Sequence, residues 1–203
     1  MTSIQLAGGN TGGGNSTLAP LQRRLLSGGS KFYGVPGVSL PGTAYVAATS
    51  ANSINYAPMF VERSLTIDAL ATMCQAGVAS ALVRLGIYDC DDDLQPTSLV
   101  LDAGTVDFST TGFKSITGLS QTLDRGVYLL AAAYSHNGGG QHMPHGVTPW
   151  AMLTNPADLT QSVRLAQAVL AFGALPATGP AYTGMSANSF IAYPCVPRVS
   201  AFN

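Results

Sequence analysis

The residues best equipped for chemistry in this sequence lie close together, between Tyr134 and Trp150. That stretch reads Tyr-Ser-His-Asn-Gly-Gly-Gly-Gln-His-Met-Pro-His-Gly-Val-Thr-Pro-Trp and holds all three histidines and the one tryptophan. A pyranose offers C–H groups on one face and hydroxyls around its edge, so a sugar site needs flat aromatic surfaces beside planar amides. Tyr134, His136, Asn137, Gln141, His142, His145 and Trp150 supply both, and Tyr182 and Asn188 add to them from a second glycine-bearing stretch, 179–189. The three histidines could also ligate a transition metal, since imidazole suits zinc, nickel, copper and iron. Their spacing matches no metal motif, and no carboxylate or thiol lies among them, so neither a metal nor another cofactor is expected. Three successive glycines predict a long or unusually folded loop, and such loops on rigid scaffolds carry recognition. The competing reading puts Trp150 in the core and packs the loop against a neighbouring subunit.

Other reactive types are scattered. Asp89, Asp91, Asp92 and Asp93 have the oxygens that calcium prefers, but not the glycine-centred loop of an EF-hand, and read as a solvated turn. Glu62 is the sole glutamate; Asp102 and Asp107 fall in a predicted hairpin with no evident cleft. Gly118-Leu119-Ser120 is not followed by the glycine of a nucleophile elbow. No pair of carboxylates or nucleophile–base arrangement points to hydrolysis, so the chain is not expected to be an enzyme. Arg84 and Arg125 read as surface charges beside strands. Cys74, Cys90 and Cys195 are odd in number and lack metal-type spacing, which predicts small buried hydrophobes rather than a disulfide framework.

Composition narrows the classes further. Nine Lys and Arg against ten Asp and Glu leave a net charge of −1 over 203 residues, with no basic stripe for neutralising phosphates. Nucleic-acid binding is not expected. No apolar run is long enough for a membrane-spanning helix, and the first residues lack the basic end and apolar centre of a signal peptide, so synthesis in a cytoplasm is expected. Charged residues make up only 9% of the chain, against about 25% in an ordinary soluble protein. Gly, Ser, Thr, Asn and Ala stand in their place, which suits a chain packed against copies of itself.

The elements that must position these residues divide in two. Residues 1–43 read as an arm that docks on a neighbour: a glycine-rich start, a short helix over 18–26 opened by Pro20, then an extended stretch set by Pro36 and Pro41. From residue 44 to 203, short segments alternate with a period of two. Leu65, Ile67 and Ala69 share one face. Val83, Leu85 and Ile87 share another, with Arg84, Gly86 and Tyr88 opposite; Val127, Leu129, Ala131 and Ala133 form a third. Gly77, Gln95-Pro96, Gly104, Thr111-Gly112 and Asp124-Arg125-Gly126 punctuate them, the last placing Gly126 where a hairpin needs a left-handed residue. This pattern predicts an all-β fold, an antiparallel β-sandwich of jelly-roll type. Residues 159–172 fit either a helix or a buried strand.

The order of six elements between Ala57 and Tyr134 resembles a domain that recurs in tail-fibre, spike and receptor-binding proteins of tailed phages and phage-like particles. They are Phe60–Asp68, Val83–Tyr88, Asp91–Pro96, Leu101–Val106, Thr111–Thr117 and Leu123–Ala131, with Gly173–Ala177 resembling a later recurrent piece. The resemblance implies a β-sandwich, commonly trimeric, at the distal end of a fibre or spike in the virion. It implies contact with a bacterial surface polysaccharide, and attachment of residues 1–43 to an adjoining virion protein. The chain departs from the pattern in having no long repetitive shaft. A capsid decoration or connector protein accounts equally for the low charge and the glycine-rich arm.

Overall fold

The computed structural model describes residues 32–33, 44–146, 154–155, 158–182, 185–187 and 191–203, with side chains placed over 50–138, 166–182 and 193–203. All regular structure among them is strand. In chain order these are β1 (Phe32–Tyr33), β2 (Ala44–Thr49), β3 (Ser53–Val61), β4 (Leu65–Ala76), β5 (Leu82–Cys90), β6 (Pro96–Asp107) and β7 (Gly112–Leu123). Then follow β8 (Gly126–Tyr134), β9 (Gly138–Gly146), β10 (Thr154–Asn155), β11 (Asp158–Val169), β12 (Met185–Ala187), β13 (Ile191–Ala192) and β14 (Val196–Phe202).

Eight of them form four nested antiparallel pairs: β5 with β6, β4 with β7, β3 with β8 and β2 with β9. Successive pairs alternate between two sheets, one ordered β3-β8-β5-β6 and the other β2-β9-β4-β7. That arrangement is a jelly roll, as the spacing of strand and turn signals predicts. The first sheet is extended beyond β3 by β11, and β14 lies along β4 beside β9. The ambiguous segment over 159–172 is therefore a strand through Val169.

Alternation explains most of the core. Val83, Leu85 and Ile87 from β5 and Leu130, Ala132 and Tyr134 from β8 point between the sheets, where they meet Leu65, Ile67, Leu70 and Cys74 of β4. Burying one such aliphatic side chain contributes about 1.5–3 kcal/mol. On β4 the period slips. The pairing moves from Ile67–Gln121 to Ala69–Thr117, so two steps along β4 face four along β7, and Gly118 takes a φ of 79° in the bulge. Past it, Leu70 rather than Ala69 belongs to the core between the sheets.

The outer face of the first sheet is apolar as well. Ile54, Tyr56, Tyr88, Leu129, Ala131 and Ala133 form a second core there, closed by Leu175 and Tyr182 from a belt spanning 170–182. The belt is tied at both edges. The Leu170 amide donates to Asn52 O at 3.0 Å, while Leu99 and Ala177, and Gly179 and Thr97, exchange backbone bonds of 2.9 and 3.0 Å. Gly86 makes room for it: a Cβ at that position would stand 2.2 Å from Leu175 Cδ1 and 2.7 Å from the Leu101 carbonyl oxygen.

Three turn expectations need correction. Gly126 does not adopt positive φ, because it opens a strand after a crossover between sheets and not after a tight hairpin. Gly104 lies inside β6, where its φ of 103° accommodates a register shift against β5. The glycine run at 138–140 begins β9 rather than a free loop, held by pairing with β2 and β4. Of the expected arm only Phe32–Tyr33 is described, paired with Val199 and Arg198; the helix expected at 18–26 lies outside the described residues.

Candidate functional site

The residues singled out for ligand contact separate into two places. Tyr134, His136 and Asn137 sit at the crossover from β8 to β9, at one end of the sandwich. Tyr134 is fully buried in the main core. His136 is 8% exposed, with Phe108 at 6.0 Å and Tyr134 at 6.3 Å between ring centroids. Among the described residues, neither of its ring nitrogens has a hydrogen-bond partner. Burial pulls the imidazole below its ordinary range; the nearby Leu82 backbone acts the other way without meeting a ring nitrogen at bonding geometry. Asn137 is exposed, and its Oδ1 accepts from the Ala51 amide at 2.8 Å.

Backbone bonds hold this corner together. Leu82 N–H donates to Ser135 Oγ at 2.8 Å, Ser135 N–H returns to Leu82 O at 3.1 Å, and Asn52 N–H donates to Tyr134 O at 3.0 Å. Asn52, with a φ of 55°, makes the tight turn between β2 and β3. Gln141, His142 and His145 continue along β9. In register, Gln141 pairs with Ala47 and Cys74, His142 with Val46 and Met73, and His145 with Ala192. Trp150 and Asn188 lie outside the described residues. No group of three or more metal-ligating side chains comes together among the described residues.

Tyr182 belongs to the other place, beneath the belt. It is 7% exposed, its hydroxyl donates to Leu94 O at 2.9 Å, and its ring lies 6.2 Å from Tyr56. Burial first, then the neighbouring Cys90 and Asp91, push its phenol up to about 12. Tyr88, raised to about 12 by burial and the Asp102 charge, donates to Pro176 O at 2.9 Å. The Tyr56 hydroxyl is buried, with no hydrogen-bond partner among the described residues. Tyr134, His136 and Tyr182 therefore serve packing within this chain rather than presenting faces to solvent.

Residue patterns missed two charged pairs, one of them Arg198 on Asp68 at 2.7 Å. Arg84 is not a loose surface charge: it grips Asp102 through Nε and Nη2 at 2.7–3.0 Å, and both side chains are about three-quarters covered. Asp102 also accepts from the Gly104 and Leu175 amides, each at 3.2 Å. Burial works to raise the Asp102 carboxyl, but the Arg84 bonds, the two amides and the Arg84 charge outweigh it and hold the group below its ordinary range. The pair pins the belt to β6. The signal for it was Gly86, a glycine inside a strong strand pattern, which marks close approach of another segment. The acidic turn is organised by Asp91 Oδ1, which accepts from the amides of Asp93 and Gln95 at 3.0 and 2.8 Å, with Leu94 at a φ of 60°.

Neither a protein-family model nor a curated protein matches the chain. No helix among the described residues is long and apolar enough to cross a membrane.

Proposed function

We propose that the chain is a virion structural protein of a tailed phage or phage-like particle: a fibre- or spike-tip module that oligomerises and binds a bacterial surface glycan. The observation that carries the reading is the match between motif order and strand order. Phe60–Asp68 spans the β3–β4 turn; Val83–Tyr88 lies in β5, Asp91–Pro96 joins β5 to β6, and the next three motifs fall on β6, β7 and β8. Jelly rolls serve repeatedly as capsid and lectin scaffolds. The low charge supports packing among copies, a trimer in this reading, with residues 1–43 attaching to an adjoining virion protein. A binding role and not a catalytic one is proposed, without nucleic acid or membrane insertion. Binding would use the exposed end of the sandwich near Asn137, together with Trp150 and Asn188.

Burial of Tyr134, His136 and Tyr182 favours a second reading, a capsid decoration or connector protein with no receptor. Two measurements separate them. In the first reading, the purified protein runs as a trimer by light scattering and retains bacterial polysaccharides on a glycan array, with retention lost on Trp150→Ala. Absence of glycan binding, with the protein found at many capsid lattice positions by microscopy, replaces it with the second. A monomer that neither binds glycan nor labels particles overturns both.

A further inference from the structure

His136 is an ionisable side chain in a place built for an uncharged one. It is about nine-tenths buried, with Phe108 and Tyr134 beside it, and among the described residues no donor or acceptor meets either nitrogen at bonding geometry. Of the described groups packed around it, only the Leu82 backbone favours the protonated ring, and burial outweighs it. Phe108 follows β6; from β8 comes Tyr134, whose phenol is neutral near pH 7. From β5 comes the backbone of Leu82. On β4, Cys74 has a thiol that is raised by burial and reaches the Phe108 carbonyl at 3.7 Å. Asp107, beside Phe108, spends its carboxylate on the amide and hydroxyl of Ser109, both at 2.8 Å. No carboxylate or cation among the described residues shifts the ring; burial dominates.

The ring's place in the fold gives that burial a consequence. His136 lies between Ser135 and Asn137, whose bonds to Leu82 and Ala51 tie the β8–β9 crossover to β5 and to the β2–β3 turn. These connections gather the outer pair, β2 with β9, at one end of the sandwich. We propose that His136 is a proton-operated latch on this end: the neutral ring seals the crossover, and taking up a proton drives the ring out and frees β2 and β9 from the inner strands. An imidazolium in this pocket would be a buried charge with no counter-ion among the described residues and only the Leu82 backbone in its favour, a cost that proteins relieve by moving the group to water.

The sign follows directly. The folded chain binds the proton less readily than the unfolded one, so the contribution of His136 is complete above the ordinary imidazole range, near 6.5, and is lost as pH falls below it. The test is thermal unfolding of the full chain at pH 7.5 and 5.0, for the wild type and for His136→Phe, together with an NMR titration of the wild-type histidines. The wild type should lose about 3 °C or more of its midpoint on acidification, and the variant should lose clearly less. The His136 ring should titrate below 6.5, with amide exchange at Ala51, Asn52 and Ser135 accelerating in the same interval. Equal losses in the two proteins overturn the latch. So does a His136 ring that titrates at or above the ordinary value, a result readable even where the variant fails to fold.

Discussion

Arg84 and Asp102 show how much a single pairing alters what a residue does. From the sequence, Arg84 is one of a few charges beside a strand, and its identity says nothing of a partner 18 positions away. In the fold the two meet because β5 and β6 pair with a register shift at Gly86, which brings their side chains to the covered outer face of the sheet. Asp102→Asn keeps the shape but removes the charge. It should leave a mostly covered guanidinium without its carboxylate and lower stability by about 1–3 kcal/mol, read from the denaturant midpoint. The pH dependence is distinct from that of His136. Because the Asp102 carboxyl is held below its ordinary range, its contribution is whole above that range and disappears as pH falls through the lower folded value. Acid unfolding of Asp102→Asn should therefore be flatter than that of the wild type below about pH 4. Residue chemistry was legible at Cys74 and Cys195, whose type already favours burial; it was not legible at Tyr134 and Tyr182, expected to face a sugar but buried, nor where a role depends on which residue stands opposite.

At the scale of elements, the period of two marked β4, β5 and β8, and its exceptions have identifiable causes. The sides assigned to β5 hold throughout: Val83, Leu85 and Ile87 enter the main core, while Tyr88 joins the outer one. On β4 alternation breaks at a bulge contributed by β7, whose two additional residues cannot be seen from β4 alone. The glycine-rich start of β9 has no side-chain period to read, so its strand character comes entirely from partners distant in the chain. The belt was the largest omission, because its residues carry no regular pattern and gain their conformation from bonds to β6. Gly86 tests its importance. Gly86→Ala would set a methyl against the Leu175 side chain and, less yieldingly, against the Leu101 carbonyl, and should cost about 1–3 kcal/mol. Leu175→Ala in the same background should recover part of that loss, since one of the two collisions is with a side chain that the second substitution removes. Additive losses in the denaturant midpoints would mean that the belt does not seat in the notch.

For the molecule as a whole, the four nested pairs leave two stacked cores, with two thiols buried and a third partly covered. The thiols are free, as the sequence implies: Cys74 and Cys195 are buried and Cys90 is partly covered. Burial raises all three, Cys90 to about 11 with help from Asp89, Asp91 and Asp92, and Cys195 to about 12. Since the thiolate is the reacting form, a thiol reagent at pH 8 should label the folded protein slowly and all three sites rapidly in denaturant. Early labelling of Cys195 alone would place the opening of β14 ahead of global unfolding. The nesting also sets a timetable. Of the four nested pairs, only β5 and β6 are consecutive strands joined by a short turn; β4 must wait for β7, β3 for β8, and Ala44 for Pro144. During synthesis, therefore, β2, made before the other seven strands of the nested pairs, is the last of them to find its mate. Until β9 arrives, β2 travels with a bare ladder of amides and carbonyls, which makes the nascent chain most vulnerable to mispairing with its siblings just before the roll closes.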